Sequence, residues 1–393
     1  MTGAMYAAIA GLKTHMSKMN VIGNNIANVN TAGYKTQRTI FKDAMYTTYS
    51  SGSDGTSTTG GKNPGQIGYG SMVSTIDLDM HTGTFTPGRT TDCMLYGDGF
   101  FLVGDKNLEI DPTNPESLKS LQMTRVGDFE FKADGYLCDG NGNPVYGFLT
   151  TGLDQDGKPI VSDQLVPIRL PKMETVYQEK GTDKVISQKD YDALQTVDEK
   201  KKYEPKQEVR YPSDRVDPKD PDAGYKKLTD QSTDIDGKNV ELANAWLDGI
   251  TINKDTGAIT GTLKDSDLPV TVGFLAIGNV TNPNGVSHED GFYYSAKEGA
   301  GDLQISLMNG TAKDLGINRV NGGLLGQNDP HSDKMLIGSA GGTQMITGGL
   351  EGSNVDLATE ISEMITTQRG YQANSRIITV TDTMLEELVN MKR

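Results

Sequence analysis

The sequence predicts a multidomain chain with terminal α-helices that pair as a coiled coil, central all-β domains between them in sequence, and a charged outer insert. Three observations predict it. Each end carries an apolar stripe at the alternating 4, 3 spacing of a heptad. The centre alternates apolar and polar residues between Gly- and Asp-rich turns. Residues 171–248 switch to crowded Lys, Asp, Glu, Pro and Gln.

The N-terminal stripe runs through Met5, Ile9, Leu12, Met16, Met19, Gly23 and Ile26. Lys13, Thr14, Ser17, Lys18 and Asn20 fill the opposite side. At 1.5 Å per residue such a helix is about 35 Å long. At the other end the same spacing links Leu357, Ile361, Met364, Gln368, Tyr371, Ser375, Ile378, Asp382, Leu385 and Val389. Ser353-x-x-Asp356 precedes the stripe like a capping box, and Lys392 and Arg393 close it in keeping with the helix dipole. Periodicity alone also fits an ordinary amphipathic helix packed on a core. Length and the matching stripe at the other terminus favour pairing.

Residues 31–70 read as a linker, because the stretch around 50–70 is Ser-, Gly- and Thr-rich with few apolar residues. A β-rich inner domain is expected from 71–165 plus 249–353, with 166–248 as an outer inserted domain and helix near Lys189–Lys201. Its signals are Gly97-Asp98-Gly99 before the apolar run Phe100–Val103, and Ala133-Asp134-Gly135 between apolar pairs. This nesting returns both termini to one place, so a terminal domain of 1–30 plus 354–393 is expected.

The net charge of −15 opposes a nucleic-acid backbone or an anionic membrane as partner. No apolar run is long enough to span a bilayer, so membrane insertion is not expected. The N-terminus lacks the basic start and apolar core of a secretory signal. Two cysteines, Cys93 and Cys138, form no metal or disulfide pattern, and the four histidines lack ligand spacing. Asp139-Gly-Asn141-Gly-Asn143 begins like a calcium loop. It then places Pro144 where the turn needs Gly and Thr150 where a Glu is required, and Asp154-Gln-Asp156-Gly157 likewise reads as a turn. No nucleophile elbow, P-loop or zinc-protease motif occurs, so no catalytic, cofactor or metal residues are assigned.

The segment 23–36 crowds Asn24, Asn25, Asn28 and Asn30 at the end of the first helix. It reads either as a frayed helix end before a turn or as a hydrogen-bonding ladder between subunits.

These residues resemble a known family. Residues 23–35, GNNIANVNTAGYK, are similar to the N-terminal signature of bacterial flagellar rod and hook proteins, and 353–390 to their C-terminal signature. Gly97-Asp98-Gly99-Phe100-Phe101 and Thr124-Arg125-Val126-Gly127-Asp128-Phe129 match internal motifs of the same family. Across 171–248 the resemblance is weak. It implies a non-enzymatic subunit of a self-assembled tube on the cell exterior, exported by the flagellar apparatus without a cleaved signal. Length and insert point to the hook, a flexible joint passing torque from rod to filament. The implied partners are copies of itself, the distal rod, hook cap and hook–filament junction proteins, and the export apparatus. Tyr34, Arg369 and Asn374 join the stripe residues and the asparagines as expected assembly positions. A rod-type subunit is the first alternative. A β-rich binding protein or enzyme oligomerised through helices is the second, against which the lone Trp246 speaks as a sugar platform.

Overall fold

A computed structural model describes residues 2–56, 58–106, 108, 110, 118–153, 159–161, 165–182, 184–186, 188–194, 196–211, 240–242, 247–263, 269–289, 291–297, 299–307, 318–319 and 343–391. The turn at 154–157, Trp246, the Gly-rich segment 338–342, His331, Lys392 and Arg393 lie outside them. The chain divides into two units, residues 1–83 with 353–393, and residues 84–352.

The first unit contains both long helices, Thr2–Ala27 and Leu357–Met391. Neither contains Pro, and the second starts from Asp356, whose Oδ1 accepts from the Ala358 N–H and whose Oδ2 accepts from the Thr359 hydroxyl. The cap is therefore Asp356 rather than the expected Ser353 box; the Ser353 hydroxyl instead accepts from the Val355 N–H. Between the helices runs a two-stranded ribbon. Gln37–Asp43 pairs antiparallel with Ser71–Leu78, and Tyr46–Ser50 with Gly65–Gly68. Backbone bonds from Ala44 to Gly70 and from Tyr69 to Met45 join the two ladders.

The ribbon corrects two expectations. The linker at 31–70 contains three strands, Gln37–Asp43, Tyr46–Ser50 and Gly65–Gly68, because a ladder needs backbone pairing and β-forming Thr and Tyr rather than apolar content. The strand Ser71–Leu78 belongs with it, so the boundary expected at 71 lies instead at Gly83–Thr84.

The second unit is built around Pro269–Val280, a strand buried from Val270 to Gly278 apart from the half-buried Thr271. Phe100–Val103, Tyr146–Leu153, Ala258–Leu263 and Leu303–Leu307 all pair with it antiparallel. Strands from both sides of the insert thus share one sheet. Its core gathers Leu95, Phe101, Phe129, Leu137, Leu149, Ile168, Val272 and Leu275. Phe101 and Phe129 meet edge to face at 4.9 Å between ring centroids. Within the insert, Lys172–Glu179 pairs with Val185–Ile186, Tyr203–Arg210 and Val240–Leu242. Gln188–Ala193 and Val197–Lys200 are helical, where helix was expected, and Tyr191 stacks on Tyr177 at 3.6 Å.

The chain returns along the body. Gln344–Thr347 pairs with Cys93–Tyr96, and Gly349–Glu351 with Phe85–Pro87. Arg125, fully buried, explains why two internal motifs occur together. It donates to the carbonyls of Leu95 and Gly97 at the glycine turn, lies over the Phe100 ring, and faces Glu351 of the return strand at 3.6 Å. No helix among the described residues is long and apolar enough to cross a membrane.

Candidate assembly site

Asn25 is the centre of the first unit. It ends the first helix one turn before the Thr31–Gly33 bend and is 1% exposed. Its Nδ2 donates to the Gln37 carbonyl at 2.9 Å and to Glu360 Oε1 at 3.0 Å. Its Oδ1 accepts from the Tyr34 hydroxyl at 2.9 Å and from the Gln37 N–H at 3.1 Å. Both lone pairs and both protons of the amide are used. Toward Gln37 it acts as a short length of β-strand, pairing with one residue's N–H and C=O. Asn24 donates to the Tyr34 hydroxyl, and Asn28 binds the Asn24 carbonyl and the Thr31 hydroxyl. Burial, reinforced by the charge of Glu360, pushes the Tyr34 phenol up to about 12.

Asn354 repeats the device from the C-terminal side. Its Oδ1 accepts from the N–H and hydroxyl of Thr36, both at 2.7 Å, and its Nδ2 donates to the carbonyls of Asp79 and His81. Buried Lys35 donates to the carbonyls of Met80 and His81. The two signatures are thus one knot closing the ribbon against both helices. Of the two readings left open for the asparagines, Asn24, Asn25 and Asn28 make their bonds within the chain.

The helices run antiparallel and meet through small and polar residues. A Cβ on Gly11 would stand 2.6 Å from Asn374 Nδ2, and one on Gly370 would stand 2.7 Å from His15 Cε1. Each helix thus presents a notch and, four residues on, the side chain that fills the other's notch. Lys18 reaches Glu363 at 2.9 Å. The buried positions are Ala8, Gly11, Thr14, Ile22 and Asn25 on one helix and Glu360, Thr367 and Thr381 on the other.

The expected assembly residues fall mostly elsewhere. Asn25 and Tyr34 are buried, and Asn374 fills the Gly11 notch. Met5, Ile9, Leu12, Met19, Asn28, Met364, Ile378 and Leu385 are half-buried. Met16, Asn24, Leu357, Ile361, Gln368, Arg369, Tyr371 and Val389 are exposed, Met16 at 52%, Ile361 at 49% and Val389 at 66%. Ile365, Ile377, Val380, Met384 and Leu388 extend this apolar exposure along the C-terminal helix. Gly11, His15, Lys18, Lys35, Glu360, Gly370 and Asn354 were missed. Glycine inside a helical pattern was the available sign, since it costs helix stability unless packing requires it.

Comparison with known proteins gives matches at both ends and over the full length. The family model described as "Flagella basal body rod protein" matches residues 5–35, and "Flagellar basal body rod FlgEFG protein C-terminal" matches residues 346–391. The chain is 30% identical to the flagellar basal-body rod protein FlgG of Bacillus subtilis (strain 168), over all of both chains. It is 28% identical to the flagellar hook protein FlgE of Borreliella burgdorferi, again over all of both. The flagellar hook protein FlgE of Salmonella typhimurium is 27% identical, over 98% of this chain and 99% of the relative.

Proposed function

Because the chain belongs to the family of flagellar basal-body rod and hook proteins, we propose that it is the structural subunit of a flagellar hook, polymerising into a curved, flexible tube that carries torque. Its role is structural rather than catalytic. Several hook proteins match it from end to end, which favours the hook over the rod. The full-length match to a rod protein supports a rod-type subunit as the second reading.

The observation that carries the proposal is the apolar surface left on the terminal helices. Monomeric chains rarely leave Ile361, Ile365, Ile377, Val380, Met384 and Leu388 exposed along one helix. In this reading, the small-residue face closes the helix pair within a subunit. The outer stripes, Met16, Leu357, Ile361 and Val389 among them, pack coiled-coil fashion on neighbouring copies. The ends of the tube would meet rod, cap and junction proteins, and delivery would run through the flagellar export apparatus to the cell exterior. In this reading the terminal helices and the ribbon form one domain, residues 84–165 with 249–352 form the β-body, and 166–248 form an inserted domain.

Negative-stain microscopy of the full-length chain, beside a chain lacking 1–30 and 354–393, tests this. Curved tubes from the full chain alone are expected; straight tubes would favour the rod reading. A full chain that never polymerises, or a truncated one that does, would overturn it.

A further inference from the structure

We propose that His15 is an acid-sensitive wedge: neutral, it holds the two terminal helices closed in the Gly370 notch, and protonated, it forces them apart. The ring edge lies where a Cβ on Gly370 would stand, 2.7 Å from Cε1 and 2.8 Å from Nε2. Its other face meets Phe41 of the ribbon edge-on, with centroids 6.0 Å apart. The Nδ1 atom is buried and has no hydrogen-bond partner among the described residues. A neutral imidazole tolerates this site because one ring nitrogen can remain a bare acceptor. An imidazolium has two N–H donors to satisfy and a charge to solvate.

The charge acting on the ring adds to the effect. On its own helix the acting neighbour is Lys18, a cation. On the C-terminal helix Glu363 is engaged with Lys18. On the ribbon Phe41, which meets the ring, is apolar. Burial and Lys18 both hold the imidazole below its ordinary 6.5. Stability tied to a lowered His value is present above 6.5 and lost as pH falls through the folded value. Glu360, the carboxylate that bridges the two helices, is shifted upward, so its protonation favours the fold and cannot cause opening in acid, and Asp79 and Asp356 are held below 3.8, under the range tested.

The test compares the full-length chain with His15→Gln, at concentrations where both are single chains, so it does not depend on polymerisation. Hydrogen exchange of the Thr14–Ile22 amides is measured at matched pH from about 7.5 to about 5, around the histidine range. Protection in His15→Gln relative to the unaltered chain should rise as pH falls from 6.5 to the folded His15 value, by up to about tenfold per pH unit, and level off below it. The His15 imidazole resonance, followed by NMR in the unaltered chain, should titrate below 6.5. A ratio that stays flat across the range, or a titration at or above 6.5, would overturn the proposal. The titration needs no variant and decides the matter if His15→Gln does not fold.

Discussion

Asn25 and Glu360, 335 residues apart in sequence, are joined by one buried hydrogen bond of 3.0 Å between the end of the first helix and the beginning of the last. Replacing Asn25 with Ala strips partners from a buried carboxylate, from the Tyr34 hydroxyl and from both backbone groups of Gln37. A loss of at least about 2 kcal/mol is expected. Chemical denaturation followed by helix circular dichroism would check it; a loss of a few tenths would contradict the hub.

Glu360 sets a pH dependence. Burial raises its carboxyl above the ordinary 4.5, more than its bond from Asn25 lowers it. A raised carboxyl stabilises the fold fully below 4.5, and that contribution is lost as pH rises through the folded value. Glu360→Gln, which still accepts from Asn25, should therefore be more stable than the unaltered chain at pH 7. The advantage should shrink as pH falls toward 4.5, as read from unfolding curves at each pH.

The notches predict a reversal of sign. Gly→Ala within a helix ordinarily gains about 1 kcal/mol. At Gly370 the new Cβ meets His15 instead, an overpacking that costs about 1–3 kcal/mol. Gly370→Ala should destabilise the unaltered chain and stabilise a His15→Ala chain. A double-mutant cycle with coupling near zero would refute the interlock.

In the β-body, Arg125 and Glu351 are 0% and 1% exposed. Removing one partner, as in Arg125→Met, should cost about 3–5 kcal/mol, whereas Arg125→Met with Glu351→Leu should recover most of it. Unfolding of the single and double variants separates the two outcomes.

How much of this was legible depended on the signal. The turn at Gly97-Asp98-Gly99 and the apolar run after it were read correctly, because positive-φ glycines and a buried strand leave local marks. The heptad stripes located the helices but not the face that closes the pair. Apolar periodicity marks what wants to be covered and is silent about whether the same chain covers it. The contacts that close the pair are made by Gly11 with Asn374, Gly370 with His15, Lys18 with Glu363 and Asn25 with Glu360, small or polar side chains that carry no hydropathy signal. The ribbon escaped notice for a related reason: Thr47, Thr48 and Gln66 pair through backbone, and the register of Gln37–Asp43 on Ser71–Leu78 is a long-range property. Asn25 was singled out, yet its partner at Glu360 could be found only by bringing both termini together.

The central claim is that the outer apolar stripe of the C-terminal helix is covered by other copies of the chain. Sedimentation and negative-stain microscopy of Ile361→Ser/Ile365→Ser/Val380→Ser, beside the unaltered chain, test it most directly. The account predicts that the variant keeps the helical content and unfolding free energy of the single chain but forms no tubes where the unaltered chain does. Tubes from the variant at the same critical concentration would contradict it.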